Sequence, residues 1–209
     1  MSKGIIVRVP GGGMPAGKII MIEGSTVSAD GRAAAIDAGT IVSYIEASPA
    51  QVGDLVDLTV DPTNVAKGII IRTPGNVISG VIPDNVEVGP ADVITLNAAS
   101  LEGTITVNGG IITIIGGTTL SGVITAPVAG SVILIDQKCA IDGAMMVKTA
   151  SIVSVRNSTF NGRLSTNGTN FTAVETCTIK GRLEVVNAKD CYSAGNQVDG
   201  SDGSGACRH

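Results

Sequence analysis

A five-residue phrase, apolar-x-Gly-x-apolar, recurs along the last two-thirds of this chain and constrains its fold more than any other feature. It is centred on Gly80, Gly103, Gly122, Gly143, Gly162 and Gly181, at spacings of 23, 19, 21, 19 and 19 residues. Two residues before the glycines stand Ile78, Leu101, Leu120, Ile141, Phe160 and Ile179. Two residues after stand Ile82, Ile105, Ile124, Met145, Leu164 and Leu183. The flanking neighbours are mostly polar or small, so the phrase alternates with period two and predicts a strand with one buried face.

A second strand is expected in the four middle units. Ten residues past the glycine come Thr113, Val132, Val153 and Thr172, and twelve past come Ile115, Leu134, Val155 and Val174. Both positions are read as facing the same way. The unit is then strand, turn, strand, turn in about 19 residues. That is too short for a propeller blade and lacks the leucine-rich consensus. It fits one coil of a parallel β-helix, with equivalent strands stacked roughly 4.8 Å apart. The aligned glycine is expected to face a narrow interior.

Composition agrees. Apolar residues make up 44% of the 209 residues, aromatics only 2%, and there are 28 Gly. Such a chain is built from β-branched residues and tight corners. The expectation is an all-β protein. A small N-terminal β-barrel or sandwich domain occupies residues 1–76, a parallel, right-handed β-helix of about six coils residues 77–194, and a polar C-terminal tail residues 195–209. Order in so polar a tail would need neighbouring subunits to pack on it.

In rung length and in the recurrent phrase, residues 78–190 resemble the β-helix of bactofilin-type filament proteins. They also resemble the short β-helical segments of phage tail fibres, tailspikes and head fibres. The resemblance implies a structural protein: a virion component such as a head fibre, spike or capsid decoration protein, or a self-polymerising cytoskeletal scaffold.

The first 75 residues do not follow the rung. Strand candidates lie at residues 4–9, 18–22, 40–45, 55–60 and 68–72, separated by Pro/Gly and Asp/Gly turns. The phrase Lys3-Gly4-Ile5-Ile6-Val7-Arg8 returns as Lys67-Gly68-Ile69-Ile70-Ile71-Arg72. The stretch at residues 52–60 is faintly similar to the late strand of an OB-fold, but Tyr44 is the only ring in this region. The stacking aromatics of a nucleic-acid platform are missing. Residues 1–100 carry 6 basic and 10 acidic side chains, and residues 101–209 carry 8 and 8. Neither half has a basic footprint, so no nucleic-acid partner is expected.

Residues 103–135 carry no charge, but seven Gly and Pro127 break their apolar runs, so no membrane span is expected. Residues 1–8 hold no long apolar run or cleavage site, so no signal peptide is expected. The four cysteines, Cys139, Cys177, Cys191 and Cys207, include no C-x-x-C pair. They are expected as free thiols. The acceptor triplets at Asn157, Asn167 and Asn170 read as polar turns.

No residue of the sequence is expected to serve as a catalytic, cofactor-binding or metal-ligating group. The single histidine is His209, which removes triad chemistry and the histidine-based acyltransfer of left-handed β-helices. Cys139 and Cys177 each lie four residues before an aligned glycine, two coils apart. That is too far for a disulfide, and both read as small core residues. Of the solenoid acids Glu102, Asp136, Asp142, Glu175 and Glu184, only Glu102 and Asp142 share an offset, again two coils apart. They do not form an obvious glycosidase pair. Gly109-Gly110 and Gly116-Gly117 read as corners rather than phosphate cradles. Arg156, Arg163, Lys180, Arg182 and Lys189 read as a solvated basic bias. The expected protein is non-enzymatic, uses no cofactor, forms a homo-oligomer (a trimer by the end-covering argument) and contacts other structural proteins of a larger assembly. A carbohydrate-binding or carbohydrate-active β-helix is the remaining alternative.

Overall fold

The computed structural model describes residues 77–207 in full, apart from residues 91, 150 and 151, and, before them, the backbone of strands only. The chain separates into two compact units, Met1–Pro74 and Gly75–His209. In the first, Ile41–Tyr44, Gly17–Met21, Ser2–Arg8, Leu55–Val60 and Ala66–Ile70 lie side by side in that order as an antiparallel sheet. Ser25–Ala29 pairs with Arg32–Ile36. The two strands that carry the recurring Lys-Gly-Ile phrase both flank Leu55–Val60. Closure of residues 1–76 into a barrel or sandwich lies outside the described residues.

The second unit is a parallel β-solenoid of about seven coils, and the described residues contain no helix. From the third coil on, each coil has three strands, not two. The first face stacks Ile111–Ile115, Val132–Ile135, Ile152–Arg156, Phe171–Glu175 and Asp190–Ala194 in parallel. The second stacks Thr119–Leu120, Ala140–Ile141, Thr159–Phe160, Thr178–Ile179 and Gln197–Val198. In the first two coils these faces share the long strands Asn76–Ile82 and Val93–Leu101, with a register shift between Leu96 and Ala99. The third face runs from Val86–Val88 through Ile105–Val107, Ile124–Ala126, Met145–Lys148, Leu164–Asn167 and Leu183–Val186 to Asp202–Gly203.

The recurrent phrase is therefore a corner rather than a strand. Its leading apolar residue ends the second face and its trailing one begins the third. Leu101, Leu120, Ile141, Phe160 and Ile179 point into the core, as do Ile105, Ile124, Met145, Leu164 and Leu183. The glycine between them is required by the neighbouring coil, not by a narrow interior. A Cβ on Gly181 would stand 2.6 Å from Gly162 O, and the same addition at Gly122, Gly143, Gly162 or Gly200 would come closer still to the glycine carbonyl one coil back. Backbone cannot yield as a flexible side chain can, so these corners stack only without a side chain.

That contact corrects the register at both ends. A Cβ on Gly103 would meet the carbonyl of Asp84, so Asp84 is the first coil's corner. Gly80 instead pairs with Ala99, and Ile82, not Ile78, is the partner of Leu101. At the other end Gly200 joins the stack. Residues 195–209 supply the second and third strands of a seventh coil, paired to Thr178–Ile179 and Leu183–Val186. The described part of the tail is held by its own ladder. Asp202 stands where earlier coils have Val, Ile, Met or Leu, which hides the repeat from an apolar pattern search.

The first-face register also differs from expectation. Thr113 pairs with Leu134, not Val132, and Leu134 pairs with Ser154. Thr113, Val132 and Leu134 lie outside the core cluster, whereas Val153 and Val155 lie in it. The turn from the third face to the first changes length between coils, and a one-residue slip exchanges the two sides of a strand.

Candidate functional site

The solenoid acids fall into separate rows. Glu102 and Asp142 lie on one outward row of the second-to-third corner, two coils or roughly 10 Å apart. Both are exposed, and Asp142 accepts a hydrogen bond from the Asn161 amide of the next coil. Nothing encloses a substrate between them. Asp136 and Glu175 are both buried and share the row at the end of the first face, with Arg156 between them in the ladder. Asp136 Oδ1 accepts from the Gln137 amide at 2.6 Å and from Asn157 Nδ2 at 3.0 Å. An arginine between two carboxylates makes an alternating charge row, with no gap for a nucleophilic water. Arg156 Nε is buried there without a hydrogen-bond partner. Glu184 pairs with Arg182 at 3.2 Å and accepts from Ser165 at 3.2 Å.

The expected basic bias disperses. Arg163 donates to the Met146 sulfur at 2.9 Å, Lys180 continues the outward row of Asp142 and Asn161, and Lys189 is exposed at the next corner. Gly109, Gly116 and Gly117 all take left-handed backbone angles, as corner residues do. His209 lies outside the described residues. Among the described residues no group of three or more His, Cys, Asp or Glu is placed to hold a metal ion. No helix among them is long and apolar enough to cross a membrane.

Cys139 and Cys177 sit in an inward row that the sequence reading did not find. Thr118, Cys139, Ser158, Cys177 and Asn196 occupy one position in successive coils, just after the first corner. Each donates to a main-chain carbonyl at or just before that corner. Thr118 donates to Ile115 O at 2.6 Å, Cys139 to Asp136 O at 3.1 Å, and Ser158 to Arg156 O at 2.7 Å. Cys177 donates to Glu175 O at 3.3 Å, and Asn196 to Val174 O at 2.8 Å. The signal was legible: a small donor residue recurs one position before each second-face strand. Burial pushes the Cys139 thiol up to about 11 and the Cys177 thiol up to about 12. Neither is a nucleophile at neutral pH, because the thiolate is the reactive form.

The other two cysteines overturn the free-thiol expectation. Cys191 and Cys207 form a disulfide, with Cα atoms 4.9 Å apart. Cys191 is the partner of inward-facing Thr172, and Cys207 belongs to the core cluster. The bond joins the first strand of the seventh coil to the segment that follows its third strand.

The outward surface is zipped from coil to coil. On the third face and its corners, Asn108 donates to Glu87 at 2.8 Å, Thr125 to Thr106 at 3.4 Å, and Asn187 to Asn167 at 3.2 Å. On the second face Thr119 donates to Ser100 at 3.3 Å. These bonds bind neighbouring coils to each other. No known protein family, curated protein or solved structure matches the chain.

Proposed function

We propose that this protein is a non-enzymatic structural component of a larger assembly, a virion protein of the head-fibre, spike or capsid-decoration kind made in the host cytoplasm. In this reading the N-terminal unit docks on the shell, and the solenoid, a right-handed coil, projects from it or covers it. The working form is a homo-oligomer, a trimer, that contacts other structural proteins. It uses no cofactor and binds no nucleic acid.

The observation that carries this reading is where the polar side chains go. Outward amides, hydroxyls and carboxylates are spent on the neighbouring coil, and inward donors on corner carbonyls. A binding or catalytic site keeps such groups converging on a ligand. A scaffold uses them to stiffen itself. The disulfide within the seventh coil favours discrete particles over a bactofilin-like filament, which needs open solenoid ends.

The test is negative-stain microscopy and sedimentation of the purified chain, with mass spectrometry of virions from the same source. Discrete oligomers and the chain's presence in the particle are expected. Long filaments would favour the cytoskeletal reading. A soluble monomer with no particle association would overturn the assembly role.

A further inference from the structure

We propose that the seventh coil is a disulfide-held cap which a dithiol reductant opens, baring the lower edge of the sixth coil for pairing with the same edge of a second copy. This inference does not depend on the virion reading.

In the sixth coil Val174, Ile179 and Leu183 face inward and are fully buried. Their ladder partners one coil down are Ser193, Val198 and Asp202. Two of the three apolar positions have become polar, and Val198 is only partly buried. Two strands of that coil, Gln197–Val198 and Asp202–Gly203, are two residues long. Burial inside the core therefore contributes little to holding the second and third strands in place, and the coil's large buried apolar side chain, Tyr192, sits on its first strand, on the side away from the core.

The covalent bond stands in for the missing burial. Cys191 and Cys207 lie 16 residues apart in sequence, and the loop they close contains both short strands. Cys207 belongs to the core cluster. Closing the loop removes disordered alternatives that the weak interior cannot outweigh.

Opening is a balanced exchange. One thiolate of the dithiol attacks one sulfur of the bond and forms a mixed disulfide. Its second thiol then displaces the protein sulfur. The protein gains two electrons and two protons as two thiols, and the reductant leaves as a cyclic disulfide. With the loop released, the seventh coil frays as a local unit while the coils above keep their apolar interior. The sixth coil then presents unpaired N–H and C=O groups along three strands beside a bared core end, a template for another chain. Pairing with the same edge of a second copy needs no other surface and closes as a twofold pair.

The full chain, oxidised and after dithiothreitol, is compared by hydrogen exchange and analytical ultracentrifugation. Exchange across residues 190–203 should rise roughly tenfold or more on reduction, as expected for loss of a loop constraint. Protection of residues 171–186 should persist, and the particle mass should double. The Cys191→Ala/Cys207→Ala variant should behave this way without reductant. If that variant does not fold, reduced wild type decides. Unchanged exchange, unchanged mass, open-ended polymers or simultaneous loss of protection in residues 171–186 would each overturn the proposal.

Discussion

The first and third faces of the solenoid share every coil and the same parallel ladder, yet they differ in what they show on the outside. Third-face strands alternate: in Leu164–Asn167 the inward Leu164 and Thr166 are buried while Ser165 is only half-buried. First-face strands do not: Val132–Ile135 and Phe171–Glu175 are buried at every residue. Their outward side chains, among them Val132, Leu134, Phe171 and Ala173, lie outside the core cluster and are still buried. Parallel strands that read as continuous apolar runs are those covered on both sides. The solenoid therefore has one face made for packing and one made for water.

The largest effect should come from attacking the packing face. Leu134 is fully buried although it points away from the core. Leu134→Asn removes a buried side chain and buries an amide, and should cost about 5 kcal/mol. Thr125→Asn, outward on the third face, should stay within about 0.5 kcal/mol. Chemical denaturation of both variants makes the comparison. Equal costs would erase the distinction between the faces.

Next comes the corner that joins the second face to the third. Gly143→Ala drives a Cβ against the backbone of Gly122. It should cost about 3 kcal/mol, at the upper end of overpacking, because the obstacle is main chain. Gly117→Ala meets open space at its corner, so it faces only the left-handed backbone there and should cost about 1 kcal/mol. Thermal melts of the pair separate close approach from backbone angle.

These two tests bear on how much the sequence could reveal. The solenoid, its parallel stacking and most inward apolar positions were legible, because the glycine corner forces one phrase to recur. The number of faces was not, because period-two alternation runs through the corner without a break at Leu101 and Ile105. The first-face register was obscured by its chemistry: when both sides are apolar, Val132 and Ile133 look alike to a pattern search. The last coil was hidden by Asp202, and the disulfide by a compartment argument that weighed a leader sequence over geometry. The corner row of Thr118, Cys139, Ser158, Cys177 and Asn196 mixes residue types, so only its position repeats.

The C-terminal end offers the third perturbation. Cys207→Ser should lower stability by about 3 kcal/mol on the chain-entropy account of a loop of this size. The effect should be seen as early exchange in residues 190–203, with the third face above it still protected. In the unsubstituted protein without reductant, where Cys191 and Cys207 are bonded and Cys139 and Cys177 are buried, iodoacetamide at pH 8 should label no cysteine while folded and two after denaturation.

The inward thiols give a pH dependence of known sign. Their folded pKa values, about 11 and about 12, lie above the 9.0 of an exposed thiol. The folded state therefore holds these protons more tightly, and the stabilisation is complete below pH 9. It should fall as pH rises from 9 towards 11, where the unfolded chain ionises first. Cys139→Ser/Cys177→Ser keeps the corner hydrogen bonds and should flatten that slope in urea titrations at stepped pH.

The smallest effect should be a gain. At the corner leaving the first face, Asn157, Thr176 and Gly195 succeed one another with left-handed backbone, and Thr176 has φ 55°. For a β-branched residue that angle costs roughly 1–2 kcal/mol. Glycine adopts it freely but loses roughly 0.5–1 kcal/mol more entropy on folding. The two terms leave Thr176→Gly more stable by about 0.5 kcal/mol. The Thr176 amide still donates to Ala194 O at 2.9 Å, a bond that glycine keeps. A measured loss would mean that the threonine side chain steadies the corner by more than its backbone strain, and that the packing face depends on its corners as well as on its strands.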